Sequence, residues 1–360
     1  MAAAPRTKTT GWTLLCLLTA CVTVASPGSG SAAWAATPAA PDVAPPVAAD
    51  PAPPAAPPPP YGFGTVNGFG QHAEHERITR AALSCTPQRT GNDCFQPHSL
   101  DQLAGKSGTF GAVGVPDVDE IFDASAHCDD ADFLAVAGYP QGRTAATVTL
   151  GRCVNHLKAD FSRGVTRAAE MVRAGVVAAD EVGLAPDCTF ALGVPGRAKC
   201  DALEGFGRAL HGTQDFYSHS NWTDRADPSR RTGPHNPPGL ARTVPAPFLN
   251  LAAPAALSTV PASLTTGCFS VWPGGCAGRL THETLNKDTG LIDAATGAAT
   301  APTTSRGQVA GNFGAAVTVA IDSTRGQWKG FQDALTASYG PAEGTRLACA
   351  LTHDHPVRDC

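Results

Sequence analysis

The sequence predicts a mainly α-helical bundle with long disulfide-pinned loops, and three observations carry that expectation. Apolar residues recur every three or four positions over 74 to 84, 147 to 174, 198 to 222 and 308 to 338, the period of helices with one buried face. Convincing strand alternation is scarce and no internal repeat is visible. Gly and Pro dominate 224 to 278, which predicts a long ordered excursion between helices.

At the start of the chain, Arg6 and Lys8 precede an apolar run from Thr13 to Ala25, and small residues follow up to Ala33-Trp34-Ala35. This is the pattern of an export signal over residues 1 to 36, and the run is too short to span a membrane stably. Leu18-Thr19-Ala20-Cys21 offers a rival processing site, because it looks like a bacterial lipobox, in which the cysteine is lipidated. The expectation is a secreted, extracellular chain cleaved near Ala35 or Ala36, with a lipoprotein anchored at Cys21 as the alternative. Residues 37 to 60 are almost entirely Ala and Pro, which cannot bury a core and favours extended conformations, so they read as a linker. Residues 61 to 360 have mixed composition and suit one elaborated α-helical metal-binding domain.

The formal charge is −5, and it falls by two more when Arg6 and Lys8 leave with the signal. No basic nucleic-acid-binding face is expected from that balance. Bound cations can supply positive charge locally, so a phosphate ester stays open as a substrate. Cys16 and Cys21 lie in the signal; the other ten of the twelve cysteines are an even number in an exported chain, which predicts disulfides. Cys85/Cys94, Cys188/Cys200, Cys268/Cys276 and Cys349/Cys360 are close sequential pairs and leave Cys128 and Cys153, but spacing alone does not decide connectivity. Cysteine-ligated zinc is the alternative, and it calls for tighter spacing than these pairs show.

The strongest local signal is LHGTQDFYSHSNW, where His211, Asp215 and His219 are four residues apart on a predicted helix. Each step of four advances about 40° around a helix, so the three side chains form one stripe. Beside Leu210, Phe216 and Trp222 such a stripe is costly to bury unpaired, and zinc satisfies it by taking imidazole and carboxylate ligands together. A capped, hydrogen-bonded helix end is the plainer reading of the same residues.

This motif resembles the LHTLQDFYSHSNW-type element of fungal HET-C-like proteins and of related animal proteins with a von Willebrand A domain. These in turn resemble the zinc-dependent phospholipase C and S1/P1 nuclease superfamily, a helical bundle carrying H-x3-D on one helix. GAVGVPDVDEIF is similar to that superfamily's G-x-x-x-P-D element, and AHCDDADF to its S-H-F segment and to AHFDSE of the HET-C-like group; they nominate Asp117 and His127. GQHAEHERITRAAL resembles the opening helix and places His75 at a zinc position, and RLTHETLNKD nominates His282. The resemblance implies a bundle of the zinc phospholipase C/P1 nuclease type with two or three zinc ions held by His75, His127, His211, Asp215, His219 and His282, and with Asp117 as general base or metal-site neighbour. It spans roughly residues 68 to 290. Over the whole chain there is a weaker likeness to secreted actinobacterial proteins of the CinY type, which implies no activity.

Three departures bear on function. His219 follows Asp215 by four residues where the phospholipases have a longer gap. Their glutamate four residues after the last histidine is Asn286 here, which leaves Glu283 or Asp288 as the carboxylate partner of His282. Their terminal tryptophan, whose amine and carbonyl bind one metal, has no counterpart before His75, so one metal site is expected to be missing, differently ligated or open to solvent. His72 lies close enough to His75 to compete with it. His156 sits among apolar helical positions beside Cys153 and reads as a hydrogen-bonded core histidine, while His98, His235, His353 and His355 read as solvated. Trp222, Trp272 and Trp328 read as packing residues. Ser218 and Ser220 lack a G-x-S-x-G elbow, so a serine hydrolase is disfavoured.

Two functions follow as expectations. One is a secreted zinc-dependent phosphodiesterase of the phospholipase C kind, acting on a phosphate ester, with phospholipid preferred over nucleic acid, and with the 224 to 278 excursion walling the pocket. The other is a non-catalytic secreted or surface interaction protein of HET-C-like type with a structural or vestigial metal site, favoured by the missing terminal ligand and Asn286.

Overall fold

A computed structural model describes residues 63–360 apart from 66, 69–70, 107–108, 191–193, 234 and 271–273. The expected export signal and Ala/Pro linker, Cys21 and Trp272 lie outside the described residues. The chain is mainly helical. Its α-helical segments are α1 (Glu74–Leu83), α2 (Pro97–Ala104), α3 (Pro116–Asp119), α4 (Ala124–His127), α5 (Arg143–Ala168), α6 (Ala179–Val182), α7 (Ala198–His219), α8 (His282–Leu285), α9 (Ser305–Gln308), α10 (Asn312–Tyr339), α11 (Pro341–Thr352) and α12 (Pro356–Asp359). Strand is confined, among the described residues, to three antiparallel ladders of two residues per strand.

Helix α7 is buried on every side, with only Asp201 outside the core, which places it in the middle of the bundle. Helices α5, α10, α4, α2 and α11 pack around it. Glycine permits two close approaches. A Cβ on Gly205 would stand 2.5 Å from the Gly164 nitrogen of α5, and one on Gly212 would stand 2.3 Å from the Ala126 carbonyl oxygen of α4. Leu157, Phe161, Phe206, Trp328 and Phe331 fill the seam between α5, α7 and α10.

The four long helices occupy the predicted stretches with altered ends. Helix α5 begins at Arg143 and stops at Ala168, because Ala174 and Gly175, both at positive φ, turn the chain into a hairpin pairing Val172–Arg173 with Val176–Val177. Helix α10 starts at Asn312, after Gly311 at φ 78°. The periodicity did not reveal α2 and α11, each of which opens with proline in its first turn. All ten cysteines among the described residues are paired as Cys85–Cys94, Cys128–Cys153, Cys188–Cys200, Cys268–Cys276 and Cys349–Cys360. Those thiolates are therefore not zinc ligands.

The Pro/Gly-rich excursion holds no α-helix among its described residues, only 3-10 turns at Pro247–Leu249 and Leu257–Thr259. The residues just after α7 gather it in. The buried Asn221 side chain donates to the carbonyls of Pro238 and Ser263, both at 2.7 Å, and accepts from the Thr265 N–H at 3.0 Å. Trp222 donates its indole N–H to the Val244 carbonyl at 2.8 Å and packs on Phe216 and Phe248. Trp222 and Trp328 are both buried packing residues.

Candidate metal centre

The His211, Asp215, His219 stripe runs down the C-terminal half of α7, and other elements bring their donors to it. His75 is the second residue of α1, Asp117 lies on α3, and His127 is the last residue of α4. The Asp123 side chain caps α4 by accepting the Ser125 N–H at 2.8 Å, and Gly212 lets α4 approach α7 closely enough for His127 to reach Asp215.

Asp215 is the hub of the first group. Its Oδ2 lies 2.8 Å from His127 Nδ1 and 3.0 Å from His211 Nε2, and its Oδ1 lies 3.1 Å from His75 Nε2. Asp117 Oδ1 stands 3.6 Å from His211 Nε2. The neighbouring hydrogen bonds set the tautomers. Gln214 spends its amide N–H groups on Thr79 and Thr324, so its carbonyl accepts the His75 Nδ1 proton at 2.7 Å. His211 Nδ1 likewise donates to the Val113 carbonyl at 2.9 Å. In the neutral rings both Nε2 lone pairs therefore face carboxylate oxygens, a repulsive arrangement unless a proton or a cation lies between them.

A second group lies one helical turn further on. His219 Nδ1 and His282 Nδ1 each stand 3.2 Å from Asp129 Oδ1, and His219 Nε2 stands 3.0 Å from Asp288 Oδ1. The rings of His219 and His282 have centroids 3.9 Å apart. The disulfide-pinned end of the excursion fixes His282, whose N–H donates to the Cys268 carbonyl at 2.9 Å while the Phe269 ring packs edge-on against its imidazole. Of the two carboxylates the sequence left open, Asp288 is fully buried beside His282 and Glu283 is exposed. Asn286 accepts the Asp288 N–H at 2.8 Å and so shapes the turn that presents Asp288.

This donor set fits divalent metal. Among the described residues, His75 Nε2, Asp117 Oδ1, His127 Nε2, His219 Nε2, His282 Nε2 and Asp288 Oδ2 are buried atoms with no hydrogen-bond partner. So many orphaned atoms around one stripe are costly in a folded core unless something else satisfies them. The triads His127–His211–Asp215, His75–Asp117–His211 and Asp129–His219–His282 each bring three ligand atoms close enough to hold one ion.

Electrostatics follow the same map. Burial works against charge on His127, yet the Asp215 carboxylate outweighs it and lifts the imidazole to about 9. Burial likewise opposes charge on His219, and Asp288 and Asp129 drive that ring well above its ordinary value. Burial, joined by the neighbouring His75, outweighs Asp215 and lowers His211. His282 and His219 overcome burial to bring Asp129 down to about 2. Asp129 and Asp215, both lowered by their histidines, are thus held as anions ready to pair with positive charge.

The segment before His75, which lacks a counterpart of the terminal tryptophan, runs across the site. The Phe63 N–H donates to Asp215 Oδ1 at 3.2 Å, and the Thr65 hydroxyl donates to Asp117 Oδ2. Gly64 makes the passage possible, since a Cβ there would lie 2.3 Å from Glu74 Oε2. The donors are accordingly closed off rather than open to solvent; among them only Asp117 has appreciable exposure, 14% of its side chain. Sequence reasoning missed Asp129, whose one signal was its place two residues after His127. His72 sits in the short ladder before α1, outside both groups. Ser218 donates its hydroxyl to Asp288. His98 is half exposed and pairs with Asp187 at 2.8 Å. His156, expected in the core, is only half-buried and pairs with Glu120 at 3.3 Å.

No protein-family model, curated protein or solved structure matches the chain.

Proposed function

We propose that this protein is a secreted, zinc-dependent phosphoric-ester hydrolase resembling phospholipase C. The observation that carries the reading is the meeting of imidazoles and carboxylates from α1, α3, α4, α7 and α8 around buried atoms without hydrogen bonds. His127, His211 and Asp215 would hold one zinc ion, and Asp129, His219, His282 and Asp288 a second. His75 with Asp215 Oδ1 gives a candidate third position, where the Phe63 backbone stands beside the carboxylate. Clustered zinc supplies Lewis acidity that lowers the pKa of water and neutralises charge on a phosphoryl group.

The chain's own groups do the rest. Asp117 is the least buried donor of the cluster; the Thr65 hydroxyl fixes its Oδ2 and leaves Oδ1, itself buried and unpartnered, turned toward His211 as the base for a water admitted to the site. Gln214 and the Val113 carbonyl hold the His75 and His211 rings in one orientation. Phe269 shields His282 on the side of the disulfide-pinned loop. The acidic net charge favours phospholipid over nucleic acid as substrate. Export fits the five disulfides, and no helix among the described residues is long and apolar enough to cross a membrane.

One observation favours a second reading, an interaction protein with a structural metal site. His75, His211 and Asp215 are all 0% exposed, and closed coordination is the mark of structural rather than catalytic zinc. Zinc-loaded protein assayed on phosphatidylcholine vesicles and on single-stranded nucleic acid, beside Asp117→Asn, decides between them. The hydrolase reading expects phosphatidylcholine turnover that falls at least ~100-fold in the variant while the zinc held by His127, His211 and Asp215 stays bound. Zinc bound without turnover on either substrate would leave the structural reading.

A further inference from the structure

On α5, His156 and Asp160 repeat the His-x3-Asp spacing that His211 and Asp215 carry on α7. Glu120, just after α3, completes a group whose three ligand atoms lie within 4.8 Å of one another. His156 Nε2 stands 3.3 Å from Glu120 Oε1 and 3.5 Å from Asp160 Oδ2. Asp160 Oδ2 is a buried atom without a hydrogen-bond partner among the described residues, and His156 Nε2 meets Glu120 as a long ion pair. Asp160 as a residue is only 5% exposed.

The other oxygens are already engaged. Glu120 Oε2 accepts from Arg208 at 2.8 Å, and Asp160 Oδ1 pairs with Arg163 at 2.8 Å. The remaining oxygen of each carboxylate therefore turns on one imidazole nitrogen. Donors about 2.0 Å from a tetrahedral ion lie about 3.3 Å from each other, close to the 3.3 and 3.5 Å that separate His156 Nε2 from the two carboxylate oxygens. Two carboxylates with an imidazole suit zinc or a similar transition ion, whereas calcium and magnesium take oxygen ligands. Asp123 adds a third carboxylate 4.0 Å from His156 Nδ1, and Asp119 and Glu204 flank Arg208, so negative charge exceeds the two guanidiniums. Glu120 also lines a cavity of about 460 Å³ together with Asp119, Arg163 and Arg208.

We propose that Glu120, His156 and Asp160 form a separate binding site for a zinc-class divalent cation, which ties the segment between α3 and α4 to α5. The segment so tied carries Asp117 at one end and His127 at the other, so the ion braces two donors of the main centre while remaining separate from it. The inference stands independently of the hydrolase reading.

Metal-free protein dialysed against buffered zinc, and analysed for zinc per chain, tests it in wild type, His156→Gln and Glu120→Gln. The readout is the difference between proteins, which does not depend on how many ions the main centre holds. The wild type is expected to retain one ion per chain more than each variant, and zinc is expected to raise its melting temperature further. Equal stoichiometry in a folded variant would overturn the proposal and leave His156 as an ion-paired imidazolium. Glu120→Gln keeps the shape of a side chain that is 23% exposed, so it provides the decision if His156→Gln does not fold.

Discussion

Gly212→Ala tests how the main centre is assembled, because a single methyl group should push His127 away from Asp215. The new Cβ would lie 2.3 Å from the Ala126 carbonyl oxygen and 2.5 Å from Leu157 Cδ2. Leu157 can change rotamer. The carbonyl cannot yield unless α4 moves, and His127 is the next residue along that helix. Overpacking a tight core costs about 1–3 kcal/mol, and a backbone atom as the obstacle puts this case at the upper end. Alanine returns about 1 kcal/mol of helix propensity, leaving a net loss of about 2 kcal/mol. Gly326→Ala in α10 is the control, since nothing lies within 4 Å of its Cβ; there the same change should stabilise by about 0.5–1 kcal/mol. Urea unfolding in chelator, with disulfides intact, measures both, and a zinc titration of each variant reports on His127. A Gly212→Ala protein as stable as wild type and equally avid for zinc would refute the reasoning.

Other consequences can be measured in the same way. Replacing Cys128 and Cys153 with serine opens a link of 25 residues beside His127; unfolding should cost about 3 kcal/mol less and zinc should bind more weakly, and an unchanged zinc affinity would contradict the role given to that link. Asp215→Asn removes the carboxylate shared by three imidazoles, so the variant should lose at least one bound zinc while the wild type loses the same ion only to chelator. Burial lowers Lys199 to about 7 despite the pull of Asp354. Between that value and the ordinary lysine range the unfolded chain holds a proton that the native chain does not, so stability rises with pH by up to about 1.4 kcal/mol per unit. The gain is lost as pH falls through 7. Urea midpoints at pH 7 and pH 9 should therefore diverge less in Lys199→Met than in wild type, and equal slopes would count against it.

The stripe on α7 was readable from spacing because a helix converts i, i+4 and i+8 into one face whatever surrounds it. Asp129 was not, because AHCDDADF offers three acids and only the backbone sorts them. Cys128 and Asp130 both take positive φ, so Asp129 turns to His219 and His282, Asp130 to Arg279, and Asp132 to Thr265 and Tyr139. The choice of Asp288 over Glu283 rests on the same kind of local turn, made by Asn286. His156 misled the reading for a related reason: the periodicity of α5 predicts a buried face, but His156 sits at its edge, where the α3–α4 segment brings acids that no helical pattern reveals. The helices α2 and α11 escaped notice because eight and twelve residues carry little periodic signal.

The central claim is that the α7 stripe holds divalent ions, and anomalous X-ray diffraction on either side of the zinc edge tests it most directly. The account predicts one peak bonded to His127, His211 and Asp215 and another bonded to His219, His282 and Asp129 or Asp288, each about 2.0–2.2 Å from its donors. Flat difference density at both positions in crystals grown with zinc, with the side chains placed as described, would contradict it.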